Sequence, residues 1–171
     1  NNFDENNSFH DVVKEAGVQG FTEPDPKIDL SGVDVARKIL ILIRESGYQF
    51  DIEDIANRSF LPAECLATTI NEDFFKSLIK NAAHFENLLA EAKAKESRLK
   101  YVATFENGKA SVGLEFIPKE SPFYNLEGKD NIVQFYTDRY VDQPLLIKGA
   151  GAGAAVTASG IFADVIRVGN I

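Results

Sequence analysis

Several residue types are absent or scarce in this sequence, and each absence excludes something. There is no methionine among the 171 residues, so Asn1 is not the product of a start codon and we expect a fragment of a longer protein. The single cysteine, Cys65, excludes a disulfide within one chain and favours a reducing compartment, for which we expect the cytoplasm. No apolar run approaches the roughly 18 residues that a membrane helix needs, so we expect no membrane partner.

Basic residues and metal-ligating residues are also few. The chain has 18 Lys and Arg against 26 Asp and Glu, a net charge of −8, which argues against a nucleic-acid partner. The two histidines, His10 and His84, lie in helical patterns without the spacing of metal ligands, and we predict no metal site. Cys65 has no histidine near it in sequence and is predicted to be a packed thiol, not a nucleophile.

The residues that are present predict an α+β fold with a mixed β-sheet and helices packed on one of its faces. The predicted helices are one capped by Ser8 and ending near Ala16, one from Ser31 to Ser46, one from Asn71 to Glu96, and one over residues 154–168. The predicted strands are residues 52–61, a hairpin around the Asn107-Gly108 turn, and the segments NIVQFYT and QPLLIKG.

Acidic residues crowd the segment EPDPKIDLSGVDVARK, residues 23–38. Its prolines predict an extended path into the helix that starts at Ser31, where Asp34 three residues later nearly completes a capping box. Asp34 and Lys38 are four residues apart and therefore share one helix face. The pair is either an ordinary surface ion pair or part of a site. The following ILILI predicts a fully buried helix and places Lys38 at the edge of an apolar interior.

The other acids of this segment also allow two interpretations. Glu23, Asp25 and Asp29 are each typical turn-forming or capping residues near a helix start, where negative charge is favoured. Together with Asp34 they would form an acidic cup around Lys38, suited to a small molecule that carries an ammonium group and a reactive oxygen. Spacing alone does not decide between the two.

The glycine-rich segment GAGAG before the last predicted helix also allows two interpretations. Gly149, Gly151 and Gly153 lack the spacing of a dinucleotide-binding fingerprint and follow the last predicted strand rather than the first. The segment is either a tight strand-to-helix turn or a place where backbone approaches a ligand.

Longer motifs resemble a known family. GFTEPDPKIDLSGVDVARK, the preceding SFHDVVKEAGVQ, LPAE at residues 61–64, and the closing GAGAGAAVTASGIFAD are similar to segments of homoserine dehydrogenases. These enzymes interconvert aspartate 4-semialdehyde and homoserine with NAD or NADP, in the biosynthesis of threonine, methionine and isoleucine. The resemblance runs from about Ser8 to the end and is thinnest between residues 66 and 140.

The resemblance implies roles for individual residues. Lys38 matches the general acid and base, and Asp34 matches the acid that binds substrate and steadies that lysine. Glu23 and Asp29 match acids that line the substrate pocket. Gly20, Glu23 and Gly153 match positions that approach the cofactor.

The resemblance also implies a domain organisation. Residues 1–171 match the substrate-binding, catalytic and dimerisation domain, with residues 154–168 as a helix that packs on a cofactor domain. The Rossmann domain, which would bind most of the NADP or NAD, has no counterpart in this sequence. The resemblance predicts a homodimer that binds a small-molecule substrate. Because the cofactor domain is missing, the isolated fragment is expected to be inactive.

Two points stay open at this stage. Lys27 and Ile28 stand where the family often has an arginine and a second acid. The parent is either a homoserine dehydrogenase, in many bacteria fused to aspartate kinase, or a non-catalytic module that binds an amino acid or mediates oligomerisation with the same fold.

Overall fold

The chain divides into two compact units, one up to Ser121 and one from Pro122 onward. The computed structural model describes residues 3–4, 6–128, 130–151 and 153–170. In chain order the elements are α1 (Phe9–Val18), α2 (Pro26–Leu30), α3 (Val33–Glu45), a 3₁₀ turn (Ile52–Asp54), β1 (Ile55–Arg58), α4 (Ala63–Leu66), α5 (Asn71–Lys80), α6 (Ala82–Ala94), β2 (Ser97–Glu106), β3 (Lys109–Pro118), β4 (Asp130–Thr137), β5 (Tyr140–Ala150) and α7 (Ala154–Gly169).

A three-stranded mixed sheet forms in the first unit, with strand order β1-β3-β2. β1 runs parallel to β3, and β2 pairs antiparallel with β3. Asn107 and Gly108 have φ values of 50° and 70° at the turn between β2 and β3. Two consecutive left-handed residues are what a tight hairpin turn requires, so the predicted hairpin is confirmed.

Two apolar clusters hold the first unit together. One lies among the helices and comprises Val13, Leu61, Cys65, Phe74, Leu78 and Phe85. The other lies between α3 and the sheet and comprises Ala36, Leu40, Ile43, Ile55, Ala110 and Val112, with Tyr101 packed against it. The second cluster is the one that positions α3, the helix that carries Asp34 and Lys38.

The second unit contains the β4–β5 hairpin and α7. Its two strands pair antiparallel from Asp130↔Ala150 onward, with a register shift between Phe135 and Thr137. NIVQFYT and QPLLIKG are therefore strands, as predicted, and the α+β class is confirmed. No helix in the described part of the chain is long and apolar enough to span a membrane.

Several predicted boundaries are wrong. The predicted helix from Asn71 to Glu96 is two helices, since the backbone at Asn81 leaves helical geometry with φ −99° and ψ 20°. The predicted strand over residues 52–61 is shortened to β1, because the 3₁₀ turn occupies its start. Pro26 does not extend the chain but occupies the first turn of α2, where a proline needs no amide hydrogen.

The start and the faces of α3 also differ from the prediction. Its N-cap is Gly32, whose φ is 77°, and no side chain caps the helix, so the Ser31 capping box is absent. The helix is amphipathic instead of buried all round, because only one face packs on the sheet. Ile41 is 60% exposed while Leu40 and Ile43 are buried.

Candidate active site

The acidic loop before α3 is held by Lys27. Asp25 is the N-cap of α2, and its Oδ1 accepts a hydrogen bond from the Lys27 backbone N–H at 3.0 Å. The Lys27 side chain is 13% exposed, with Nζ 3.5 Å from Asp25 Oδ2, and it donates to the Thr68 carbonyl at 2.7 Å. Asp25 therefore caps a helix and pairs with a largely buried lysine. This is the structural one of the two interpretations given for this acid, and it separates Asp25 from the predicted cup.

A second tie holds the same loop. The Asn71 side-chain amide donates to the Pro24 carbonyl at 2.5 Å. Thr68 lies in the connection between α4 and α5 and Asn71 is the first residue of α5, both more than 40 residues along the chain from their partners. No spacing rule in the sequence points to these partners.

Glu23, in the loop before α2, is hydrogen-bonded to Asp29 within α2. Asp29 Oδ2 accepts a hydrogen bond from the Glu23 backbone N–H at 2.9 Å, and both residues are exposed. Among the described residues, no hydrogen bond or ion pair is made by the Glu23 carboxylate. The pair therefore presents negative charge to solvent, one carboxylate from each residue.

Asp34 and Lys38 form the ion pair that their spacing predicts. Lys38 Nζ lies 2.8 Å from Asp34 Oδ2, and the two side chains are 51% and 65% exposed. By helical geometry both lie on the side of α3 opposite Ala36, Leu40 and Ile43. Lys38 is thus an accessible ammonium on an outward face, and not at the edge of the apolar interior as predicted.

The structure therefore places four of the predicted site residues in two pairs. One pair is Glu23 with Asp29, before and within α2, and the other is Asp34 with Lys38 on α3. Among the described residues, no direct hydrogen bond or ion pair joins one pair to the other. What connects them is the turn Ser31–Gly32 between the two helices.

That turn contacts two residues that sequence reasoning missed. The Asn57 amide donates to the Ser31 carbonyl at 2.7 Å, and the Tyr101 hydroxyl donates to Asn57 Oδ1 at 3.3 Å. Burial raises the pKa of the Tyr101 phenol. A Cβ added at Gly32 would overlap the Tyr101 ring.

The two glycines predicted to approach a cofactor both have open space beside the backbone. Gly20 has φ 72°, and a Cβ built there would meet nothing within 4 Å. The Phe21 N–H donates to the Ala16 carbonyl at 2.9 Å, so Gly20 also ends α1 as a C-terminal glycine. Gly153 has φ 137°, caps α7, and likewise has nothing within 4 Å of an added Cβ.

The other glycines of GAGAG differ from Gly153. An added Cβ at Gly151 would overlap the Asn131 side chain, so this glycine serves close packing beside the β4–β5 hairpin. Gly149 lies within β5. Gly20 and Gly153 belong to different units, and each by itself fits the approach of a ligand to bare backbone.

The remaining candidate residues have structural partners. Cys65 is completely buried in the helical cluster, which confirms a packed thiol. His84 Nε2 lies 2.8 Å from the Phe60 carbonyl, and His10 Nδ1 lies 3.1 Å from Asp11 Oδ1. The described residues contain no group of three or more His, Cys, Asp or Glu that could hold a metal ion.

Other proteins resemble this chain along nearly its whole length. The chloroplastic bifunctional aspartokinase/homoserine dehydrogenase 2 of Arabidopsis thaliana is 45% identical over 172 residues, which cover 99% of this chain and 19% of that protein. The homoserine dehydrogenase of Paracoccidioides brasiliensis is 42% identical over 160 residues, covering 92% of this chain and 43% of that protein. The chain thus spans less than half of the length of either relative.

Solved structures share the fold. A crystal structure of a Candida auris protein of unknown function matches with a TM-score of 0.88 and 37% identity, over 98% of this chain and 47% of that one. A crystal structure of S. aureus homoserine dehydrogenase matches with a TM-score of 0.70 and 25% identity, over 98% of this chain and 38% of that one. The family model for homoserine dehydrogenase matches residues 1–166, and the chain therefore belongs to the homoserine dehydrogenase family.

Proposed function

We propose that the chain is the substrate-binding and catalytic domain of an NAD(P)-dependent homoserine dehydrogenase that interconverts L-aspartate 4-semialdehyde and L-homoserine. The observation that carries the proposal is the exposed Asp34–Lys38 pair, 2.8 Å apart on the outward face of α3. An accessible ammonium with one carboxylate partner is suited to pass a proton to and from a substrate oxygen.

Lys38 acts on the oxygen of the substrate. In the direction of reduction, Nζ donates a proton to the aldehyde oxygen as it becomes a hydroxyl. In the direction of oxidation, Nζ takes the proton from the homoserine hydroxyl. Asp34 holds the ammonium in place and restricts the directions in which it can donate.

Glu23 and Asp29 bind the other end of the substrate. Both substrates carry an α-ammonium group, and an anionic pair at the mouth of the loop complements that charge. The Glu23 carboxylate is the freer of the two, because Asp29 already accepts a hydrogen bond from the Glu23 backbone. The Lys27 and Asn71 ties keep these acids in place before substrate arrives.

The cofactor is NADP or NAD; the proposed contacts in the first unit are Gly20 and Glu23, and Gly153 is proposed separately in the second unit. Bare backbone at the two glycines fits the close approach of a planar ring or a ribose. When bound, the nicotinamide supplies the hydride to the aldehyde carbon or takes it back. The chain spans 43% of the P. brasiliensis homoserine dehydrogenase, which supports a cofactor domain outside residues 1–171 and inactivity of this chain alone.

A homodimer is part of the proposal. The β4–β5 hairpin leaves Val141, Leu145 and Ile147 at 66%, 43% and 56% exposure. A two-stranded ribbon is only marginally stable by itself, and an exposed apolar strand invites pairing with another chain. A second copy of the hairpin would cover this surface.

The test is homoserine-dependent reduction of NAD and of NADP by the full-length protein that contains this chain, beside residues 1–171 alone. We expect turnover only in the full-length protein, and a loss of about 10²- to 10⁴-fold in Lys38→Ala with the fold retained. Lys76→Ala is the matched control, because Lys76 forms an exposed four-residue helix pair with Glu72 at 2.7 Å. Its turnover should stay at the wild-type level.

Two results would contradict the proposal. Wild-type turnover in Lys38→Ala would remove the proton-transfer role. No turnover in a folded full-length protein would favour the amino-acid-binding module instead, with Lys38 reduced to a surface ion pair.

A further inference from the structure

The two halves of the candidate site meet at a turn that has little to hold it locally. Gly32 caps α3 without a side chain, and the Ser31 hydroxyl accepts from the Val33 N–H at a long 3.3 Å. The same hydroxyl donates to the Ile28 carbonyl at 2.7 Å, which ties it back to α2. The angle between α2 and α3 is therefore set by contacts from elsewhere in the unit.

Those contacts come from two strands of the sheet. Asn57 lies on β1, 26 residues from Ser31, and its amide donates to the Ser31 carbonyl at 2.7 Å. Tyr101 lies on β2, and its hydroxyl donates to Asn57 Oδ1 at 3.3 Å. Because β3 lies between β1 and β2, the two strands are about 10 Å apart, a span that a phenol and a carboxamide together can bridge.

The Tyr101 ring holds the same turn by packing. Its atoms occupy the place where a Cβ at Gly32 would be. The amide of Asn57 thus uses its donor on Ser31 and its acceptor on Tyr101, while the ring of Tyr101 contacts Gly32. A turn, an edge strand and a hairpin strand are joined in one network.

Lys38 is placed by what positions α3, which is the apolar cluster on the sheet along the helix and the Asn57–Tyr101 network at its start. Its ion-pair partner Asp34 is on the same helix, so the pair moves with α3 as a unit. A slip of one residue at the start of α3 would move Lys38 by about 1.5 Å and 100°. Glu23 and Asp29 would not follow, because they are held on the other side of the turn.

We propose that Asn57, oriented by Tyr101, is a positioning residue that sets the distance between the substrate-binding acids Glu23 and Asp29 and the proton-transfer lysine Lys38. This inference rests on the proposed function. It assigns control over turnover, rather than over substrate binding, to an exposed strand residue whose hydrogen bonds among the described residues are to Ser31 and Tyr101 and not to Lys38.

The test measures kcat and KM for homoserine in the full-length protein. Asn57→Ala should lower kcat about 10- to 100-fold, as expected for a displaced catalytic group, with KM changed less than about threefold since Glu23 and Asp29 keep their own ties. Tyr101→Phe keeps the ring on Gly32 and frees only Asn57 Oδ1, so its kcat should fall less. Asn81→Ala is the matched control, because the Asn81 amide donates to the Ser77 carbonyl at 2.9 Å at the C-terminal end of α5; its kcat should be unchanged.

A double-mutant cycle separates positioning from general structural damage. In a Lys38→Ala background, Asn57→Ala should have no further effect on the residual turnover, since it acts through Lys38. An equal loss of kcat in both backgrounds would overturn the inference, as would wild-type kcat in Asn57→Ala. An inactive wild-type protein would instead contradict the proposed function itself.

Discussion

At the scale of single residues, Gly32 has the strictest requirement in the candidate site. Its φ of 77° is in the left-handed region, and a Cβ there would overlap the Tyr101 ring. Gly47, just after α3, has φ 92° but open space around an added Cβ. A substitution at Gly47 would therefore add backbone strain alone, whereas one at Gly32 would add both backbone strain and a steric overlap.

We expect Gly32→Ala to destabilise the chain more than Gly47→Ala does. Strain alone costs roughly 1–2 kcal/mol of unfolding free energy at either position, and overlap adds about 1–3 kcal/mol at Gly32. Urea unfolding of the two variants measures the difference. Equal losses would mean that the Tyr101 ring moves away at little cost.

Tyr101 also predicts a dependence of stability on pH. Burial raises the pKa of its phenol in the folded state, so the folded chain holds this proton more tightly than the unfolded chain does. The stabilising contribution is complete below the usual phenol pKa of about 10, and it is lost as the pH rises through the folded pKa.

The measurement compares wild type with Tyr101→Phe by urea unfolding on both sides of that pH. The difference in unfolding free energy should be constant below a pH of about 10 and should shift against the wild type above it. A difference that stays constant throughout would show that the Tyr101 hydroxyl titrates alike in both states.

At the scale of elements, the connection between α4 and α5 holds the acidic loop through Lys27. The Lys27 ammonium is largely buried against the Thr68 carbonyl and Asp25. Lys80 provides a contrast, because it joins α5 to Glu64 of α4 at 2.6 Å while its side chain is 73% exposed. Both lysines link two elements, but only Lys27 does so while shielded from solvent.

Lys27→Met should therefore cost about 1–3 kcal/mol of unfolding free energy, because it leaves the Thr68 carbonyl without its donor and Asp25 without its counter-ion. Lys80→Met removes an exposed pair and should cost less than about 1 kcal/mol. Chemical denaturation of both variants tests this. A Lys80→Met loss as large as that of Lys27→Met would contradict the difference drawn from burial.

Element types were predictable from the sequence where one local pattern decided them. The Ser8 cap is confirmed, with its side chain accepting from the Asp11 N–H at 3.1 Å, and so is the Asn107-Gly108 hairpin. The break at Asn81 was missed because apolar residues keep helical spacing through both α5 and α6. Phe74 and Leu78 of α5 and Phe85 of α6 lie in one apolar cluster, as they would on one face of an unbroken helix, so the apolar pattern carried no sign of the break.

At the scale of the whole molecule, burial is unevenly distributed between the two units. Every buried apolar residue among those described lies between Val13 and Ile117, in the first unit. The second unit instead exposes apolar side chains along β5 and α7, including Val141, Ile147 and Phe162. Surface of this kind is typical of an interface.

The proposed homodimer predicts that Ile147→Lys lowers the mass of the particle in solution. Ile147 is 56% exposed on β5, and a lysine there would place like charges together across a self-pairing interface. Ile79→Lys is the control, since Ile79 is 58% exposed on α5 of the other unit. Sedimentation equilibrium of the full-length protein should show a smaller particle only for Ile147→Lys, and an unchanged dimer would exclude β5 from the interface.

By itself the sequence determined what depends on near neighbours along the chain. The helix cap at Ser8, the tight hairpin and the Asp34–Lys38 pair all follow from residues within four positions of each other. The resemblance to the family could also be recognised from the sequence, because each motif that carries it is a contiguous segment.

Only the tertiary structure decided which distant residues hold the site together. Asn57 reaches Ser31 across 26 residues and Lys27 reaches Thr68 across 41, and neither partner is marked by spacing or composition. Such contacts arise because packing of α3 on the sheet, and of α2 beside α4 and α5, brings their backbone carbonyls within reach. A carbonyl is present at every residue, so only the folded chain selects which one is used.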